Sequence, residues 1–266
     1  MLASPGRGTV FAAWERFVQG EDQVPGVRPE VAISWHRCRE QYRVDPHLTE
    51  APVAVAEIDH TPEHGVVFAE LGFRAAYMAH EVSNLGGVVT VTDATGRILA
   101  EWGGDQATLA RATDAHLAPW FCWSECAAGT NGMGTALEAH GPVVVRGAEH
   151  WCQAFHNWVC AGNAVRDVVT REPIAVLNIS CWRSQLPASA GGWLANAVTK
   201  TQCTLKRRAR DNGAALVAAY TQARARSGAA LAAMDTAGKV VIADDTASVL
   251  MGVPASTPAI DPTVRW

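Results

Sequence analysis

Residues 190–226 form a run rich in Ala, Lys, Arg, Gln and Leu in which Gly213 is the interior breaker, and such a stretch reads as one long helix. It divides the chain into a body before it and a tail at 228–266. Trp193, Ala197, Leu205, Leu216 and Tyr220 make its apolar stripe. Their repeat is too irregular for a heptad, so the stripe serves either as the seam of a homodimer or as a surface packed on the helix's own domain.

Breakers and periodicity organise the body. Residues 9–20 and 28–43, separated by the Pro25-Gly26 turn, carry mixed apolar and charged periodicity and predict two helices with Trp14, Phe17, Ile33 and Trp35 facing inward. A segment bearing Pro46, Pro52 and Pro62 leads to a helix at 65–82, with Val67, Leu71, Ala75 and Met78 at helical spacing. The runs 87–93 and 97–102 alternate β-branched residues around Asp93-Ala-Thr-Gly96, the signature of a hairpin. Strand character returns at 142–146 and 174–180, and a helical stretch is expected between them at 150–160. A second hairpin pattern spans Leu231–Ile242 around Asp235-Thr-Ala-Gly238, with too few residues after it for another domain of typical size.

Composition narrows the classes. With 48% apolar and 18% charged residues a sizeable core is available, and no run approaches the roughly 18 apolar residues of a membrane helix. Met1–Gly20 carries no secretory signal, so a cytoplasmic location is expected. Seven irregularly spaced cysteines do not resemble a disulfide framework; reduced thiols, metal ligands or redox switches fit better. Ten tryptophans against three tyrosines suit pocket lining as well as core filling. Residues 182–226 hold eight Lys/Arg against Asp211, a local +7 that leaves −11 for the rest, so phosphate contact would fall to Lys206, Arg207, Arg208 and Arg210, which read equally as a solvated helix face.

Three segments carry a family likeness: Trp123-Ser-Glu125, the string Ala128-Gly-Thr-Asn-Gly-Met-Gly-Thr-Ala-Leu137, and Pro142-Val-Val-Val-Arg-Gly-Ala-Glu-His150. They closely resemble the GAF sensor of AcoR/DhaR-like bacterial transcriptional activators. Trp35, Val44-Asp-Pro46 and Cys160-Ala-Gly-Asn-Ala-Val-Arg-Asp167 extend the likeness to about residues 28–252. The resemblance implies an α+β fold: a GAF-like antiparallel sheet flanked by helices, with N-terminal helices, a long C-terminal signalling helix and a partial PAS-like segment. The corresponding organisation is 1–60 for the N-terminal helical region, 61–183 for the GAF-like sensor, 184–227 for the long basic helix and 228–266 for the partial PAS-like segment. It also implies a pocket for a small effector, no membrane association, and DNA contact only through a domain absent from this chain. No Gly-x-x-x-x-Gly-Lys-Ser/Thr string for an ATPase module occurs.

Gly129, Gly132 and Gly134 allow close approach of chain or ligand, and Thr130 and Asn131 suit helix capping or ligand contact. The candidate ligand-binding residues are Trp120, Trp123, Glu125, Thr130, Asn131, His150, Trp151 and Trp158. Cys122 and Cys126 flank Trp-Ser-Glu, and a helix over 150–160 would put Cys152, His156 and Cys160 on one face. Those five are the candidate ligands of a transition metal such as Zn, Cu or Fe, or of haem, with inert thiols and reversible thiol oxidation as alternatives. Glu125 and Glu149 suit acid–base work only if the fold pairs them; the expected catalytic set is empty. The leading reading is a sensor of a small molecule, a metal or redox state, acting as a homodimer through the long helix. The alternative is a Cys/His-ligated metalloenzyme or thiol redox enzyme on a regulator-derived scaffold.

Overall fold

The computed structural model describes residues 7–54, 62–167, 170–183, 185–234 and 240–252. It comprises two compact units, Met1–Cys203 and Thr204–Trp266. The larger unit is built on a five-stranded antiparallel sheet in the order β2-β1-β5-β4-β3, with β1 at Gly87–Asp93, β2 at Ile98–Gly103, β3 at Val143–Arg146, β4 at Trp158–Arg166 and β5 at Pro173–Trp182. This is the α+β sheet flanked by helices that the family likeness implies.

Register sorts the side chains. Thr90 faces Glu101 on β2 and Asn178 on β5, and Asn178 in turn faces Gly162 on β4, so these four share one face of the sheet. Val89 and Trp102 occupy the other. The helix α3 (Pro62–Val82) lies on that second face, its Gly72 within reach of the Trp102 ring, and it buries Val67, Leu71, Ala75 and Met78 as expected. On the first face sit α4 (Gln106–Asp114), started by Asp105 accepting the Thr108 N–H at 2.8 Å, and α6 (Gly132–Glu138). With helices on both sides, all seven residues of β1 are buried, threonines included.

The N-terminal helices belong to this core. In α1 (Arg7–Val18) the i, i+3, i+4, i+7 set Val10, Ala13, Trp14 and Phe17 is buried. Pro29 opens α2 (Pro29–His36), where its missing N–H costs nothing, and the chain continues as a wider π-turn, Arg37–Tyr42, ended by Arg43 in the left-handed region. The inward residues there are Val31, Ser34, Trp35 and Cys38; Ile33, expected inside, is 58% exposed because it falls on the opposite side of the turn. Trp14, Phe17 and Trp35 form one cluster with Val88, Trp123, Met133, Trp151 and Cys160 of the sheet body.

The 150–160 region departs from the helix expected. It holds a 3-10 turn at Gln153–Phe155 and then enters β4 at Trp158. A short apolar run reads the same for helix and strand, and here the pairing of Trp158 and Cys160 with Trp182 and Ser180 decides it. The 37-residue helix α7 (Ala190–Arg226) forms as predicted, but its buried stripe is Ala190, Leu194, Ala197, Val198, Thr201 and Leu205; Trp193 lies beside it, half-buried. In the smaller unit, β6 (Ala232–Met234) and β7 (Val240–Ala243) form the second hairpin, followed by α8 (Asp245–Met251), which Asp244 caps through the Ala247 N–H at 2.8 Å. The turn Asp235–Gly238 lies outside the described residues.

One close approach locks α6 to the sheet: a Cβ on Gly162 would stand 2.0 Å from the Gly132 carbonyl oxygen. Gly162→Ala therefore lowers the unfolding free energy by about 3 kcal/mol, whereas Gly213→Ala, in an open position within α7, raises it by about 0.5–1 kcal/mol, both measurable by denaturant titration.

Candidate functional site

A buried polar knot ties α2 to the segment that follows β2. The Glu125 side chain at the start of α5 (Glu125–Ala128) is fully enclosed. Its Oε1 accepts from Ser34 Oγ at 2.5 Å and Arg37 Nη2 at 2.9 Å, and its Oε2 accepts from Arg37 Nε at 2.7 Å. Ser34 Oγ also meets Thr130 Oγ1 at 2.6 Å. A buried carboxylate is tolerable only with such partners, so α2 and the 125–130 segment hold each other in place.

The glycine-rich string follows directly. Asn131 caps α6, its Oδ1 accepting the Met133 and Gly134 N–H groups at 2.9 Å while its Nδ2 donates to the Trp123 and Gly129 carbonyls. Gly129 has φ +69° and no room for a Cβ, which would fall 2.6 Å from Trp151. The string thus packs and caps α6 at the buried face of the sheet.

The other candidate residues are distributed as follows. Trp123 Nε1 donates to the His116 carbonyl at 2.7 Å and Trp151 Nε1 to that of Val44 at 2.8 Å. Trp158 packs edge-on against Trp182, and Trp120 is 60% exposed with the Arg97 guanidinium over its ring. His150 is buried, its Nδ1 at 2.9 Å from the Gly147 carbonyl, and burial pushes its pKa down to about 3; His156 falls to about 4 for the same reason. All seven cysteines are free. Burial raises the thiols of Cys38 and Cys160 to about 12 and that of Cys152 further, while Cys122 and Cys126 lie nearer the surface on either side of the Ser124 hydroxyl, at 3.4 and 3.2 Å.

Because 150–160 is not a helix, Cys152, His156 and Cys160 do not share a helical face. Among the described residues, the group whose ligand atoms all lie within 4.8 Å of one another is Asp22, His36 and Glu40, and Arg39 pairs with both of its carboxylates. Glu149 is held by Arg28 in a two-pronged ion pair, Nε–Oε1 2.8 Å and Nη2–Oε2 2.7 Å, and Glu125 by Arg37, so each carboxylate has its own guanidinium.

Sequence reasoning missed a polar row on the sheet face under α4 and α6. Thr90 donates to Met133 Sδ at 3.4 Å and accepts from Asn178 Nδ2 at 3.2 Å. Beside them Thr92 Oγ1, Glu101 Oε2 and Asn178 Oδ1 are buried with no hydrogen-bond partner, and burial raises the Glu101 carboxyl pKa. Buried polar atoms nearly always find partners, so three without one on neighbouring strands set this row apart from the satisfied knot around Glu125. One or two polar residues per strand leave no motif; only the register brings them together.

Two outcomes follow. Arg37→Met leaves the enclosed Glu125 carboxyl without its guanidinium and costs about 3–5 kcal/mol in denaturant unfolding, whereas adding Glu125→Met recovers at least half of the loss. His150 and His156 stay neutral in the folded chain down to about pH 3 and 4, whereas the unfolded chain protonates them near 6.5. Their stability contribution is therefore complete above about pH 6.5 and falls with acidification by at most about 1.4 kcal/mol per histidine per pH unit. His156→Gln halves that slope in unfolding measured from pH 6 to 4.5.

Comparison with known proteins agrees with this architecture. The chain is 29% identical over 253 residues to the propane 2-monooxygenase operon transcriptional activator MimR of Mycolicibacterium goodii, covering 89% of this chain and 42% of that protein. It is 30% identical over 172 residues to the acetoin dehydrogenase operon transcriptional activator AcoR of Bacillus subtilis, covering 63% and 28% respectively. The chain thus spans less than half the length of these curated relatives. A solved E. coli DhaR(N)–DhaL complex shares the fold, with TM-score 0.59 and 14% identity over 86% of this chain and 78% of that one. A family model described as MimR, N-terminal domain, matches residues 9–191, and the chain belongs to that family.

Proposed function

We propose that this chain is the effector-sensing domain of a cytoplasmic bacterial transcriptional activator, and that its effector is a small, neutral, hydroxyl-bearing molecule received on the β2-β1-β5 face. The unpartnered row of Thr92, Glu101 and Asn178 carries the reading. Asn178 Oδ1 and Glu101 Oε2 are acceptors, so the missing partner donates hydrogen bonds as an alcohol does. The raised Glu101 carboxyl pKa and the absence of a basic side chain among the row's own residues disfavour an anion. Met133 is the flexible neighbour that can yield to a guest.

An organic effector suits the site better than a metal. A metal bound at Cys38, Cys152 or Cys160 would first have to displace a proton that burial favours keeping on the thiol. The relatives' printed names, a propane 2-monooxygenase operon and an acetoin dehydrogenase operon, fit regulators of small oxygenated carbon compounds. DNA binding falls to a further domain of the full-length protein, and pairing of two chains through α7 would carry the signal towards it. No described helix is long and apolar enough to cross a membrane.

Propan-2-ol, acetone and acetoin are the probes, titrated while following thermal unfolding and amide NMR shifts. Thr92→Val removes a buried hydroxyl without a partner, so it leaves the free domain as stable or up to about 1 kcal/mol more stable, yet weakens binding of the hydroxylated probes at least about fivefold. Unchanged binding in Thr92→Val and Asn178→Leu would remove the row from the effector site.

A further inference from the structure

At the opposite edge of the sheet, α1 and the β3–β4 connection enclose a cleft of about 380 Å³, large enough for a small organic ligand. Three guanidinium groups line it, those of Arg28, Arg146 and Arg183, against the single carboxylate of Glu149. That carboxylate is already taken: Arg28 grips both oxygens, and Oε2 also accepts the Arg146 backbone N–H at 2.7 Å. Arg146 and Arg183 have no ion-pair partner among the described residues, and both are exposed. The cleft is therefore a locally positive concavity in a chain whose net charge is −4.

Arg183 is deliberately placed. Its φ is +53°, a left-handed conformation that a side-chain-bearing residue adopts at a cost. The conformation is held by its backbone N–H donating to the Asn157 carbonyl at 2.8 Å, by Nε reaching Asn157 Oδ1 at 3.4 Å, and by the guanidinium lying 5.3 Å from the Trp182 ring. Val10, Phe11, Ala148 and Val159 give the cleft an apolar side, with the polar Asn157 and Gln185 completing its lining. His156 also lines the cleft and is neutral at ordinary pH, so it adds no competing charge.

We propose that this cleft is a second ligand site that binds a small organic carboxylate, the carboxylate between Arg146 and Arg183 and the hydrocarbon chain against Val10 and Phe11. Guanidinium forks match a carboxylate geometrically, and the apolar wall selects an acid with a carbon tail over a bare inorganic anion. The site is separate from the β2-β1-β5 row, since it uses the β3 edge and α1. An occupant would hold α1 against the strand edge, adding to the stability of the N-terminal helices.

Hexanoate, hexanamide and inorganic phosphate are the probes, titrated into the whole chain by amide NMR and calorimetry at constant ionic strength. Hexanoate is expected to shift the amides of Phe11, Asn157 and Arg183, hexanamide to bind at least about tenfold more weakly, and phosphate to bind more weakly than hexanoate. Arg146→Gln and Arg183→Gln, both at exposed positions that leave the fold intact by circular dichroism, each weaken hexanoate at least about fivefold, and Phe11→Ala weakens it without affecting phosphate. Equal binding of hexanoate and hexanamide, phosphate binding tighter than hexanoate, or affinity unchanged in both arginine variants would overturn the proposal. Because the residues involved are not those of the β2-β1-β5 row, failure here leaves the effector reading untouched, and the converse holds.

Discussion

The structure turns on one enclosed carboxylate. Glu125 sits where water cannot reach it, and Arg37 and Ser34, from a helix some ninety positions earlier, are what make that tolerable. The pairing draws α2 onto the sheet body and fixes the short turn of α5. From there Asn131 starts α6, and the contact of Gly132 with Gly162 seats that helix on β4 at backbone distance. The N-terminal helices are consequently part of the sensor's core: Trp14 and Trp35 donate their indole N–H groups to the carbonyls of Trp151 and Glu149, tying those helices to the segment before β4.

That arrangement leaves polar demand elsewhere unanswered. Strand β1 is covered on both faces, yet it carries Thr90 and Thr92, and the facing Glu101 and Asn178 add a carboxyl and an amide. Natural cores keep such groups when every one is satisfied or when a guest completes them. The knot around Glu125 is complete; the row around Thr90 is not. Satisfied and unsatisfied polarity are thereby separated in space, the first under α2 and α5, the second under α4 and α6.

Much of the fold was legible because it was local. The first hairpin, the inward set of α3 and the length of α7 followed from periodicity and breakers, and the glycine string carried the family. What was not legible depended on distant partners. Residues 150–160 hold an apolar run whose identity as turn and strand is set by pairing with β5, and that removed the helical alignment of Cys152, His156 and Cys160. Ile33 points away from the core and Trp193 lies only half-buried beside a stripe that keeps Ala197 and Leu205, differences that an irregular repeat does not reveal. Of the residues singled out as ligand-binding, Trp123, Glu125, Thr130, Asn131 and Trp151 commit their polar groups to hydrogen bonds within the fold. Thr92, Glu101 and Asn178 passed unnoticed, since nothing within one strand distinguishes them from solvent-facing polar residues.

The central claim is that an effector completes the β2-β1-β5 row, and hydrogen–deuterium exchange with mass spectrometry on the whole chain, with and without saturating propan-2-ol or acetoin, tests it most directly. The account predicts added protection in peptides covering Gly87–Asp93, Ile98–Gly103, Gly132–Glu138 and Pro173–Trp182, with the 7–18 segment unchanged. Protection confined to segments outside these four, in a chain that demonstrably binds the probe, would contradict it.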